Sequence, residues 1–233
     1  MATSSGKIEG VRAVLLDAGG TLIDLDDRRL AAALEPLGIV PDGEGRRRAE
    51  GPARRWADGA VRRGVAPREL WDGYFGRVLA GAGVPRERIP AALGLLWEAN
   101  RRVGLWRRPV PGARETLARL RAAGFSLAVV SNAEGQVEAD LRDAGLADLL
   151  DLVVDSHRVG VAKPDPAIFR VALDRLGVPP AAAVHVGDVP AYDVEGARAA
   201  GITPVLVDRW EAWPGADCPR IREITELPAL VGP

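Results

Sequence analysis

Lysine is almost missing from this chain: of 31 basic residues only Lys7 and Lys163 are lysines. Cysteine is rarer still, Cys218 standing alone, so an internal disulfide is excluded. No paired-cysteine or HExxH zinc spacing occurs. Net charge is also nearly absent, since 31 basic against 32 acidic residues leave −1. No overall field draws the chain to nucleic acid or to an anionic membrane, and neither is expected as a partner. The apolar runs fall far short of the roughly 18 residues that cross a bilayer. The opening MATSSGKIEG carries no apolar stretch of the signal-sequence kind, and a reducing, cytoplasmic setting is expected. What is present is 233 residues, 47% hydrophobic and 27% charged, enough to bury one large core or a core with a smaller lobe.

The apolar run Val11 to Leu16, closed by Asp17, Gly19 and Gly20, reads as a buried strand ending in a turn. From Arg28 to about Gly104 the spacing is helical, with Leu30, Leu34 and Leu37 on one face and Leu70, Tyr74 and Leu79 on another. Pro67, Pro85 and Pro90 divide this stretch into several helices without a strand. After Pro111 helices and strands alternate: a helix over 113–123 closed by Gly124, a strand over 126–130, a helix over 136–144 and a strand over 150–154. A helix capped by Asp165-Pro166 follows, then a strand over 182–186, a helix over 194–200 and a strand over 203–207. The expected fold is α/β: a Rossmann-like parallel sheet with helices on both faces, plus an inserted all-helical domain. The core is expected from residues 1–25 and 105–233, the insertion from 26–104. The arginine pairs, Arg54/Arg55 and Arg107/Arg108 among them, read as solvated surface. Trp56, Trp71, Trp97 and Trp106 read as helix-face packing, with a substrate pocket as the alternative.

In a parallel sheet, ligands collect beyond the carboxyl ends of the strands. Asp17 follows the first strand, Ser131 and Asn132 the second, Lys163 the third, and Asp188 and Asp193 the fourth. Singly, each has a plain reading as a turn or a cap. Together they suit phosphoryl chemistry: one carboxylate attacks, the others hold an oxygen-liganded ion such as Mg²⁺, and hydroxyl, amides and ammonium steady the phosphoryl oxygens. The lysine at 163 stands out in a chain that uses arginine elsewhere, because a planar guanidinium is a poor substitute for a compact ammonium between oxygens. His157 and His185 read as structural histidines.

The segments VLLDAGGTLID (14–24), VVSN (129–132), VGVAKPDPAIF (159–169) and VHVGDVPAYDVEGARAAG (184–201) resemble the four motifs of the haloacid dehalogenase superfamily, in the branch whose helical cap is inserted after the first motif. The resemblance implies that Asp17 is the nucleophile, forming an aspartyl-phosphate, and also a metal ligand. It further implies that Thr21, Ser131 and Asn132 hold the phosphoryl group, that Lys163 neutralises charge on nucleophile and phosphate, and that Asp188 ligates Mg²⁺ with Asp193 beside it or just behind. The main-chain carbonyl of Gly19 would be a further ligand. A small-molecule substrate, a phosphate ester, is expected.

One position departs from the family pattern. Phosphatases of this superfamily carry a second aspartate, acting as general acid and then base, where this chain has Gly19. Loss of such positioned help typically costs about 10²- to 10⁴-fold in rate. The alternatives are a binding or regulatory protein that keeps the site without useful turnover, or a 2-haloacid dehalogenase. Dehalogenases carry Tyr at this position and lack the acid that Asp188 supplies, which argues against the second. A phosphonoacetaldehyde hydrolase needs a cap lysine for its Schiff base, and residues 28–104 contain none.

Overall fold

The computed structural model describes residues 6–232. The apolar run at the start forms β1 (Ala13–Leu16), every residue of which is buried. Two short strands outside the alternating pattern follow, β2 (Ile23–Leu25) and β3 (Trp106–Pro109), which pair as a two-stranded sheet. With only three and four residues, and with WRRP as the second sequence, neither offers an apolar run or a clean alternation to read. Between them lie α1 (Asp27–Leu34), α2 (Gly43–Arg62), α3 (Pro67–Gly81) and α4 (Ile89–Val103). Pro67 and Pro90 occupy first-turn positions of α3 and α4, where a missing N–H costs nothing.

The remaining elements alternate as the spacing predicts. They are α5 (Ala113–Ala122), β4 (Ser126–Ser131), α6 (Val137–Asp143), β5 (Leu152–Asp155), α7 (Ser156–Val159), α8 (Pro166–Leu176), β6 (Ala183–Gly187), α9 (Glu195–Ala199), β7 (Thr203–Val207), β8 (Arg220–Ile221) and α10 (Leu227–Val231). The six-stranded sheet has the order β5-β4-β1-β6-β7-β8, and each neighbouring pair is parallel. The fold is therefore the expected Rossmann-like α/β sheet.

The structure divides into two compact units. The first comprises the chain up to Asp24, Arg107–Arg209 and Trp213 onward, and contains the parallel sheet. Alternate strand residues Ala13, Leu15, Ala128 and Val130 pack with Ile168, Phe169, Ala172 and Leu173 of α8. Leu117 and Leu120 of α5 are buried as their spacing predicts, and α5 packs against β4. The second unit comprises Leu25–Trp106 with Trp210–Ala212. Its core joins Leu30, Leu34, Phe75, Leu79 and Leu96. Trp71 stacks there on Phe75 and meets Trp97 edge-on, and Trp56 lies against Gly73, so these indoles pack helix faces.

Two arginines depart from the solvated reading. Arg54 is buried against the Trp210 ring, with its guanidinium carbon 4.1 Å from the ring centroid, because aromatic faces and Glu50 replace the water it gives up. Arg107 is drawn in by Asp140 at 2.7 Å. No helix among the described residues is long and apolar enough to cross a membrane.

Buried Asp155 ends β5 and binds the amides of His157 (3.0 Å), Gly135 (3.2 Å) and Val137 (3.4 Å), tying the loop after β4 to the start of α7. Asp155→Ala leaves those donors without their acceptor and is expected to destabilise the fold by about 1–3 kcal/mol. Thermal denaturation checks this, at roughly 2–4 °C per kcal/mol for a chain of this size.

Candidate active site

Because all six strands run the same way, Asp17, Ser131, Asp155 and Gly187 stand at or next to one edge of the sheet. The Asp17 amide donates to the Val186 carbonyl at 2.8 Å, which continues the β1–β6 ladder past the last strand residue and fixes the backbone of Asp17 beside the end of β6. Asp188 comes one residue after β6 ends. Asp17, Ser131, Lys163, Asp188 and Asp193 are all buried.

At the centre is Lys163, whose Nζ lies 2.6 Å from Asp17 Oδ1 and 2.7 Å from Asp193 Oδ1. The loop that carries it is held by Asn132: the Asn132 Oδ1 accepts from the Lys163 amide at 2.7 Å, and Nδ2 donates to the Lys163 carbonyl at 2.9 Å. The side chain of Asn132, expected to touch the phosphoryl group, is thus committed at both ends to the backbone of Lys163. It braces the loop that carries the ammonium.

Asp193 is bonded through both of its oxygens. Its Oδ1 accepts from Lys163 and pairs with His185 Nε2 at 2.9 Å, while Oδ2 accepts from the amides of Asp188 (3.1 Å) and Val189 (3.0 Å). Both oxygens are in use, so Asp193 anchors the lysine and the turn after β6, the place just behind the ligands that the resemblance also allows. The helix expected over 194–200 begins as a widened, π-helical turn over Pro190–Val194, closed by the Glu195 amide on the Pro190 carbonyl. That turn brings Asp193 back against Gly187, where a Cβ would stand 2.2 Å from the Asp193 Cγ.

Burial pushes the Asp17 carboxyl above its ordinary 3.8; Lys163 pulls it down, and Asp193 adds to the rise. Burial likewise works against the Asp193 carboxylate, but Lys163 and His185 outweigh it and hold this group well below the usual carboxylate range. For Lys163, burial acts to lower the pKa, yet Asp17 and Asp193 together raise it, so the ammonium is firmly charged. Burial lowers His185 and keeps its imidazole neutral.

Two buried carboxylates, at 17 and 193, therefore meet one ammonium, and a third, Asp188, is buried just past the end of β6, an excess of negative charge that a divalent cation would offset. Among the described residues no three His, Cys, Asp or Glu side chains gather into a metal cage. The donors that the family resemblance names, the carboxylates of Asp17 and Asp188 and the main-chain carbonyl of Gly19, form an all-oxygen set. This fits Mg²⁺, which takes one or two carboxylates and keeps several waters. Thr21 Oγ1 is buried without a hydrogen-bond partner among the described residues, a hydroxyl suited to a ligand oxygen.

Two contributors escaped the sequence reading. The Trp213 indole Nε1 donates to the Asp188 carbonyl at 3.1 Å, and its own backbone amide is held by buried Asp208. No local pattern marks Trp213, because its partner lies 25 residues earlier. His185 did carry a signal, as a polar residue inside the buried strand AVHVG, but reading it as structural left out its tie to Asp193.

Two stability measurements test this electrostatic picture. A raised folded-state pKa means that ionised Asp17 costs the fold stability above that pKa and nothing below the unfolded value. In chelator-treated protein at neutral pH, Asp17→Asn is expected to raise the melting temperature, with the gain shrinking as acid protonates the parent carboxyl; a lower melting temperature contradicts the assignment. Gly187→Ala drives a methyl into Asp193 and is expected to cost about 1–3 kcal/mol in the same assay.

Comparison with known proteins agrees with the fold. The profile of the haloacid dehalogenase-like hydrolases matches residues 11–201. The haloacid dehalogenase-like hydrolase domain-containing protein 3 of Mus musculus is 38% identical over 146 residues, 62% of this chain and 58% of that one. A phosphoserine phosphatase of Thermus thermophilus is 40% identical over 136 residues, 58% of this chain and 53% of that one. The chain thus spans little more than half the length of these curated relatives. Among solved structures, the HAD hydrolase YfnB of Bacillus subtilis, bound to magnesium, superposes with a TM-score of 0.71 at 19% identity, over 96% of this chain and 99% of that one. A 2-haloacid dehalogenase of Pseudomonas syringae gives 0.59 at 28% identity, over 94% of this chain and 97% of that one. The Rossmann-like sheet, the four strand-end motifs and the match across residues 11–201 together make this chain a member of the haloacid dehalogenase-like hydrolase family.

Proposed function

We propose that this hydrolase is a Mg²⁺-dependent phosphatase of small phosphate esters, working through an aspartyl-phosphate on Asp17, with residues 26–104 as the cap that selects the substrate. The observation that carries the reading is the buried Lys163 ammonium bridging Asp17 and Asp193 beside an excess of carboxylate charge. A phosphoryl group adds further negative charge, and the site already holds the cation and hydroxyls to receive it. Relatives with phosphatase names support the same reading.

In the first step the Asp17 carboxylate attacks phosphorus and the ester oxygen leaves with the bonding electrons. In the second, water attacks the same phosphorus, releasing phosphate and restoring Asp17. Lys163 holds Asp17 in place and offsets charge on the transferring oxygens, while Thr21 and Ser131 supply hydroxyls to them. The bound Mg²⁺ would rest on Asp17, Asp188 and the Gly19 carbonyl and supply charge neutralisation there. Gly19 contributes no proton, so the leaving group must depart unaided or take its proton from solvent.

A leaving group that needs no proton is therefore favoured. With Mg²⁺, p-nitrophenyl phosphate is expected to turn over at least about 10²-fold faster than a sugar phosphate, the size of the help lost at Gly19. Gly19→Asp is expected to narrow that gap. Equal rates on the two esters in the parent would overturn the role given to Gly19, and chloride release from a 2-haloacid without added metal would point to dehalogenation instead.

A further inference from the structure

His185 is buried without exposure on β6, a central strand of the sheet, between Val184 and Val186, and the mechanism above makes no use of it. Its ring meets Phe169 edge-on at 4.8 Å. Its Nδ1 is buried without a hydrogen-bond partner among the described residues. The other nitrogen, Nε2, lies 2.9 Å from the Asp193 oxygen that also receives the Lys163 ammonium, 2.7 Å away. Any aliphatic side chain would fill this place without leaving a polar atom unsatisfied, so the one thing the imidazole adds is its bond to Asp193.

We propose that His185 is a positioning residue: by donating Nε2–H to Asp193 Oδ1 it fixes that carboxylate to the rigid centre of the sheet, and so fixes the Lys163 ammonium against Asp17. The geometry follows from what each group can do. Asp193 is a carboxylate and only accepts, so the facing nitrogen of a neutral imidazole must carry the proton, and Nδ1 keeps the bare lone pair. Asp193 sits on the widened turn after β6, and Lys163 on a loop after α7. Of the donors that meet Asp193, the amides of Asp188 and Val189 belong to the segment just before that same turn, and Lys163 is the group being placed. His185 alone refers the carboxylate to a sheet strand.

The proposal rests on the phosphatase reading for its consequence in turnover, but its geometry is testable without it. Because Lys7 is the only other lysine, ¹⁵N-lysine labelling yields two side-chain ammonium signals, and Lys163→Met identifies the relevant one. In metal-free protein, His185→Leu is expected to shift the Lys163 signal and speed its hydrogen exchange. His185→Gln, which keeps an N–H near the place of Nε2, is expected to leave that signal near its parent position. Long-range ¹⁵N–¹H correlations should show the imidazole proton on Nε2. A Lys163 signal unmoved by His185→Leu, or a proton on Nδ1, overturns the proposal.

With p-nitrophenyl phosphate and Mg²⁺, His185→Leu is expected to lower kcat by about tenfold, the usual scale for groups that orient a reacting residue. The same substitution in a Lys163→Met background should add less than about twofold, since coupled residues are not additive. Equal losses in both backgrounds would mark a merely structural histidine. If no phosphate ester is turned over, the phosphatase reading fails, while the lysine signal still decides the role of His185.

Discussion

The pairing of Lys163 with Asp17 and Asp193 is the contact on which the rest of this site depends. An ammonium and two carboxylates taken out of water cost several kcal/mol each unless they meet in good geometry. Here they meet at 2.6 and 2.7 Å, and the remaining lone pairs of Asp193 are filled by two amides and an imidazole. Without the lysine, the buried carboxylates of Asp17 and Asp193 would be left in mutual repulsion. Without the carboxylates, Lys163 could not remain charged at that depth.

Much of the surrounding structure is explained by the need to keep this pairing in one geometry. Asn132 binds both polar groups of the Lys163 backbone. Gly187 leaves room for the Asp193 carboxylate to lie against the strand. Trp213 holds the carbonyl of Asp188 from a distant loop. None of these side chains needs to touch a substrate to matter, because small displacements of reacting groups are costly in rate. The burial that raises the Asp17 carboxyl makes its ionised form costly to the fold.

Gly19 separates this chain from a generic phosphatase of its family. If the substrate is the proposed phosphate ester, the position that would handle the leaving-group proton is empty of any titratable atom. On the proposed phosphatase reading, the nature of the leaving group would take over part of the control that a general acid exerts.

Much of this was legible in sequence because it is local. Short apolar runs closed by glycine mark the strands, Asp165-Pro166 marks the start of α8, and strand ends in a parallel sheet share one edge, so Asp17, Ser131, Lys163 and Asp188 could be placed together before any coordinates. The lysine at 163 was visible against an arginine background. β2 and β3 were not legible, being too short to show a period, nor was the burial of Arg54, which depends on an aromatic ring more than 150 positions away. Residue type and order alone determined which chemical groups arrive at the edge of the sheet. Only the tertiary structure decided how their lone pairs and protons are shared, giving Asn132 to a backbone, Asp193 to Lys163 and His185 to Asp193, because a hydrogen bond is a property of two atoms' separation and direction, which chain position does not contain.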